Sequence, residues 1–62
     1  MNMKKNDRNW IAVFETLPEF EDYYEVKFKD GTTDEKPFRI RPSKNIKGFM
    51  TETEVTHWRE LA

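Results

Sequence analysis

The segment Tyr23-Tyr24-Glu25-Val26-Lys27-Phe28-Lys29 alternates strictly, with Tyr24, Val26 and Phe28 against Tyr23, Glu25, Lys27 and Lys29. A period of two sends alternate side chains to opposite faces of a strand, so this is the clearest strand in the chain. Asp30-Gly31 ends it with a hairpin signal, since a type I′ turn needs positive φ at both central positions. A second strand, Phe38-Arg39-Ile40-Arg41, lies between Pro37 and Pro42. Proline cannot donate to a ladder, which predicts a short segment near an edge.

These two strands pose a register problem. A two-residue turn at Asp30-Gly31 pairs Lys29 with Thr32, Val26 with Glu35 and Tyr23 with Phe38. Phe38 and Ile40 would then lie on the face opposite Val26 and Phe28, and one core could not collect both sets. Either a bulge after the turn restores the parity, or a wide loop covers about residues 30–36. The wide loop would bring Phe28 opposite Phe38, Val26 opposite Ile40 and Lys27 opposite Arg39.

Toward the start, Trp10-Ile11-Ala12-Val13-Phe14 is a continuous apolar run. Trp10, Val13, Phe14 and Leu17 also match helical spacing, but about eight residues before Pro18 are short for a helix. The β-branched Ile11 and Val13 favour a strand. Pro18 biases Leu17 away from the helical region and turns the chain. Later, Ser43 to Gly48 reads as a polar connector with a turn at Gly48, after which Phe49 and Met50 return to the core. Thr53 to Trp58 alternates again and closes the chain as a strand. Residues 1–8 are polar and lack periodicity, which predicts a flexible arm ahead of a single domain over 9–62.

The expected fold class is therefore mainly β, a small antiparallel sheet of three to four short strands with Tyr23–Lys29 at its centre. A small SH3-like or Tudor-like barrel, suggested by the Tyr-x-Val-x-Phe-x-Asp-Gly pattern, is one alternative. An α+β fold with a short N-terminal helix is the other. The expected core is Trp10, Tyr24, Val26, Phe28, Phe38, Ile40, Val55 and Trp58, with the two tryptophans packed together where the terminal strands meet.

Composition narrows this further. At 62 residues the chain suits one domain near the lower size limit, with a few kcal/mol of stability expected. Only 35% of residues are apolar, but five Phe, two Tyr and two Trp can close a small core because each aromatic buries roughly 150–250 Å². With no cysteine and a single histidine, neither a disulfide nor a structural zinc site can reinforce the fold within one chain. Two glycines make no phosphate cradle, and the acids around Asp30-Gly31 lack the spacing of a calcium loop. No metal or cofactor is expected. The N-terminal lysines have no apolar stretch behind them and no run approaches ~18 apolar residues, so a cytoplasmic protein without a membrane partner is the expectation.

The net charge of −1 is unevenly spread: residues 15–25 carry −5 and residues 27–47 carry +4. Lys27 and Lys29 share the outward face of the central strand, and Arg39 and Arg41 can join them across the hairpin, with Lys44 and Lys47 following. Tyr23 adds a stacking surface, so Tyr23, Lys27, Lys29, Arg39 and Arg41 form the candidate interaction set. If Glu25, Asp34 or Glu35 neutralises these cations, the face is merely solvated and a protein partner becomes the better reading. His57 has no orienting acid that the sequence can identify, so no catalytic residue is assigned and an enzyme is not expected.

Trp10-Ile11 with Leu17-Pro18, and Val55-Thr56-His57-Trp58 with Leu61, together resemble the frame of the domain of unknown function 551 family, small proteins found largely in phages and prophages. The resemblance spans about residues 10–61, and the closing Val-Thr-His-Trp is its distinctive part. That family's tail carries prolines around the last leucine, whereas this chain reads Arg59-Glu60-Leu61-Ala62, which weakens the transfer of any C-terminal docking role. The family brings no established activity. The resemblance implies a phage-encoded protein and hence the host bacterial cytoplasm; with so little room for an active site, the expected function is that of a non-enzymatic accessory protein binding a host macromolecule, a protein in the first instance. The alternative is a small nucleic-acid-binding module using the basic hairpin face. The oligomeric state is not legible.

Overall fold

The computed structural model describes residues 9–61, so the arm expected over 1–8 lies outside the described residues. Five strands form one antiparallel sheet: β1 (Ile11–Ala12), β2 (Asp22–Phe28), β3 (Thr33–Arg41), β4 (Ile46–Phe49) and β5 (Val55–Glu60). Their order is β1-β5-β2-β3-β4, and the sheet curls into a half-barrel. The strand whose alternation is clearest is also the central one. No helix forms among the described residues beyond a 3-10 turn at Pro42–Lys44. The helical spacing after Trp10 survives only as one turn, in which the amides of Glu15 and Thr16 donate to the Ala12 carbonyl.

A bulge resolves the hairpin parity, in a register different from the wide loop. The Gly31 amide donates to the Phe28 carbonyl at 2.9 Å, and the Phe28 amide donates to the Thr32 carbonyl at 2.8 Å. Lys29, Asp30 and Gly31 thus form a three-residue loop with Gly31 alone at positive φ (+92°). That is a turn followed by a glycine bulge, and it replaces the type I′ turn expected at Asp30-Gly31. Asp30 secures it by accepting bonds from the Thr32 amide (2.9 Å) and hydroxyl (2.7 Å). These bonds, the hydroxyl's first, hold the Asp30 carboxyl below its ordinary pKa.

In the resulting register Val26 faces Asp34, Tyr24 faces Lys36 and Asp22 faces Phe38. The shift of one residue returns Phe38 and Ile40 to the face of Tyr24, Val26 and Phe28. The apolar pairs expected from a wide loop do not form; instead β3 runs for nine residues and passes beyond the start of β2. Pro37 sits inside it. The Pro37 carbonyl accepts from the Met50 amide at 2.9 Å, so the side on which Pro37 lacks a donor is the side where β4 has ended.

A second bulge solves a problem on β5. Strict alternation puts Val55 and Trp58 on opposite faces, yet both pack with the core. Lys27 pairs with His57 while Phe28 pairs with Val55, leaving Thr56 as the extra residue. Its hydroxyl donates to the Lys27 carbonyl at 3.2 Å, which ties the bulge to β2.

Tyr24, Val26, Phe28, Phe38 and Trp58 form the buried core on the concave face, with Ile11, Val13, Leu17, Ile40, Phe49 and Val55 packed against it. Tyr24 meets Phe38, Phe49 and Trp58 edge-on at 5.3–6.3 Å, a favoured aromatic geometry. The loop after β1 closes the concave side. Trp58 Nε1 donates to the Thr16 carbonyl (2.9 Å), the Tyr24 hydroxyl donates to the Phe20 carbonyl (2.8 Å), and Pro18 is fully buried between these anchors.

Three expectations need correction. Trp10 is only half-buried and not part of this core, because Ile11 pairs with Trp58 and so takes the inner face, leaving Trp10 on the outer one. The two tryptophans therefore do not pack together. The segment read as a connector is partly β4, and Gly48 lies within it, opposite Arg39. The chain reverses earlier, at Pro42–Lys44 and Asn45, whose φ of 58° and ψ of 39° are left-handed. Met50 does not return to the core but stays 42% exposed.

Candidate interaction surface

The registers arrange the convex face in rows. Trp10, Arg59, Glu25 and Glu35 lie side by side, because Glu25 pairs with both Arg59 and Glu35 and β1 continues its register one residue back from Ile11. Arg59 donates through Nε to Glu25 Oε1 (2.9 Å) and through Nη2 to Oε2 (3.3 Å), a two-pronged carboxylate contact. Its guanidinium lies 3.9 Å from the Trp10 ring centroid, and Lys27 Nζ lies 4.9 Å from the same ring. Trp10 therefore clamps β1 over the outer face by cation–π contact.

His57 belongs to the neighbouring row, between Ala12 and Lys27. Its Nδ1 is 2.9 Å from the Thr56 hydroxyl, which already donates its proton to the Lys27 carbonyl. The imidazole serves the bulge geometry, and this chain of bonds contains no carboxylate.

The cations proposed from sequence share the convex face but not one place. Lys27 pairs with Thr33, and Arg39 lies six residues further along β3, about 20 Å away at ~3.3 Å per residue. Lys29 is exposed in the turn. Glu25 and Glu35 lie between the two groups. Arg41 is bonded to the Glu21 carboxylate, which also accepts from the Ile40 amide at 2.7 Å. Asp34 pairs instead with Lys36, at 3.7 Å. Neutralisation is thus partial, and it comes chiefly from Glu21, a residue outside the set considered from sequence.

What the structure does bring together is a basic and apolar end of the sheet. Tyr23, 53% exposed, is opposite Pro37, and Met50 continues that row through its amide bond to Pro37. The next positions are Arg39 opposite Gly48, then Arg41 opposite Ile46. Arg39, Arg41, Lys44, Ile46 and Met50 line a depression of about 340 Å³. Its surface is apolar because the stems of the long cationic side chains cover it while their charged heads reach water. Gly48 leaves the surface beside Arg39 bare, with open space where a Cβ would stand.

Ile46 and Met50 escaped the sequence reading. The available signal was Ser43-Lys44-Asn45, a turn-forming run that can reverse the chain before Ile46 and start a strand there. Comparison with family models, curated proteins and solved structures finds no match to the chain. Among the described residues, no helix is long and apolar enough to cross a membrane.

Proposed function

We propose that this chain is a non-enzymatic accessory protein of phage type that binds a host protein through the basic, apolar end of its sheet. The observation that carries this reading is the depression edged by Arg39, Arg41 and Lys44 with Ile46 and Met50 in it, beside the exposed Tyr23. Protein interfaces favour aromatic residues, methionine and arginine at their centres. Arg39 and Lys44 select an acidic, apolar partner surface by charge, and the short β4 edge offers backbone groups to it. A nucleic-acid groove would instead need cations that track a phosphate backbone. Here Glu25 and Glu35 interrupt the face, and Glu21 holds Arg41. The phage setting rests on the family resemblance of the end motifs.

Capture from a bacterial lysate, with and without nuclease, tests the proposal. A host protein should be retained after nuclease treatment and lost with the double variant Arg39→Ala/Met50→Ala, whose melting temperature should match the parent. Retention that vanishes with nuclease, and that weakens steeply with salt, would establish the nucleic-acid reading in its place.

A further inference from the structure

A second depression, of about 320 Å³, opens at the end of the sheet where β2 begins and β5 ends, lined by Phe20, Asp22, Tyr23, Tyr24, Glu60 and Leu61. Its chemistry is opposite to that of the basic end. Phe20 is 72% exposed and Leu61 40%, and with Tyr23 they gather three of the six large exposed apolar side chains among the described residues. A cluster of this kind on a small domain marks a binding site when polar groups edge it. Asp22 and Glu60 both border it, and Glu19 precedes Phe20 in the chain.

The site is also held in shape. The Tyr24 hydroxyl, donating to the Phe20 carbonyl, fixes the backbone that presents the Phe20 ring, and Tyr24 itself is locked among Phe38, Phe49 and Trp58. Asp22 is steadied by the Tyr23 amide, which donates to its Oδ1 at 2.8 Å. The Tyr24 hydroxyl reports the local potential: burial first, then the charges of Asp22 and Glu60, raise its pKa above the ordinary tyrosine value. Both carboxylates therefore stand close enough to act on Tyr24, which lines the depression.

We propose that this depression binds a cationic side chain of a partner peptide, a lysine ammonium or an arginine guanidinium, against the Phe20 ring and the Asp22 carboxylate. The aliphatic stem of such a side chain suits Phe20 and Leu61, and its charge suits the π face and the acids together. An anion would be repelled, and a purely apolar group would leave the acids without a gain. Tyr23 borders both places, but Phe20, Asp22 and Leu61 belong to this one alone, and the variants that test it leave Arg39 and Met50 of the basic end untouched.

The test titrates a lysine pentapeptide, an arginine pentapeptide and a glutamate pentapeptide into isotope-labelled protein and follows amide shifts. The two cationic peptides should move Phe20, Asp22, Tyr23 and Leu61, and the glutamate peptide should leave them in place. Phe20→Ala should weaken binding by about 5- to 10-fold, the loss of one partly desolvated cation–π contact. Asp22→Asn should weaken it and flatten its salt dependence. Phe20 is exposed, so its variant should keep the parent melting temperature; should it not, Leu61→Ser gives the same reading from a second exposed position. Cationic peptides that shift acidic positions across the whole surface, or that bind the Phe20→Ala and Leu61→Ser variants as tightly as the parent, would overturn the proposal.

Discussion

Tyr24→Phe removes the hydroxyl that anchors the Phe20 backbone and leaves the ring contacts with Phe38, Phe49 and Trp58 intact. Two effects should separate by pH. At neutral pH the variant loses the bond from the hydroxyl to the Phe20 carbonyl, typically about 0.5–1.5 kcal/mol net. For a domain of this size that lowers the melting temperature by roughly 4–8 °C per kcal/mol. The second effect runs the other way. The Tyr24 pKa is raised in the folded state, first by burial and then by Asp22 and Glu60, so the folded protein keeps a proton that the unfolded chain releases near pH 10. The stability contributed by this group is fully present below that pH and is lost as pH rises through the higher folded value. Phenylalanine does not titrate, so the variant should lose less stability than the parent across that alkaline window, and the difference between them should shrink. Urea melts at pH 7 and at steps from pH 9 to 11.5 measure this directly, with Tyr23 and the lysines common to both proteins. Parallel stability curves from pH 9 upward would refute the burial and charge argument. Equal stability at pH 7 would refute the anchoring role of the hydroxyl.

Phe38→Ala empties a fully buried position and should lose on the order of 3–5 kcal/mol, enough to leave most of the chain unfolded by circular dichroism at 25 °C. The two glycines should respond oppositely to alanine. Gly31→Ala forces a side chain into φ +92° and should destabilise by about 1–2 kcal/mol, while Gly48→Ala, in open space within a strand, should be neutral or stabilise by up to about 1 kcal/mol in chemical denaturation. Trp10→Ala should loosen β1 by removing the ring over Arg59 and Lys27, seen as faster amide exchange at Ile11 and Val13 with β2 still protected. Asp30→Ala should lower the melting temperature at pH 7, and the difference from the parent should shrink as pH falls below the ordinary carboxylate range, since the bonds to Thr32 are stronger to the ionised carboxylate.

Local patterning was enough to read the central strand, its inward residues Tyr24, Val26 and Phe28, and the partner pair Phe38 and Ile40. Alternation records which side of a strand is wet, and that record survives in any fold that uses the strand. Sequence also exposed the parity conflict in the hairpin and required either a bulge or a wide loop. It could not choose between them, because the choice depends on how far β3 extends once β2 and β4 both pair with it. The same dependence hid β4: Ile46-Lys47-Gly48-Phe49 has weak strand preference and forms one because β3 offers it a ladder.

The outer face shows the limit most plainly. Lys27 and Arg39 were correctly assigned to one side, since facing is a matter of parity. Their separation, the capture of Arg41 by Glu21, the stacking of Trp10 on Arg59 and the gathering of Ile46 and Met50 beside Arg39 are matters of register. Register is decided by which backbone groups find partners across strands distant in sequence, and a shift of one residue there moves every neighbour. The chain alone therefore determined which residues turn inward and which outward. Only the tertiary structure decided which of them stand side by side, and the candidate sites are made of those neighbours.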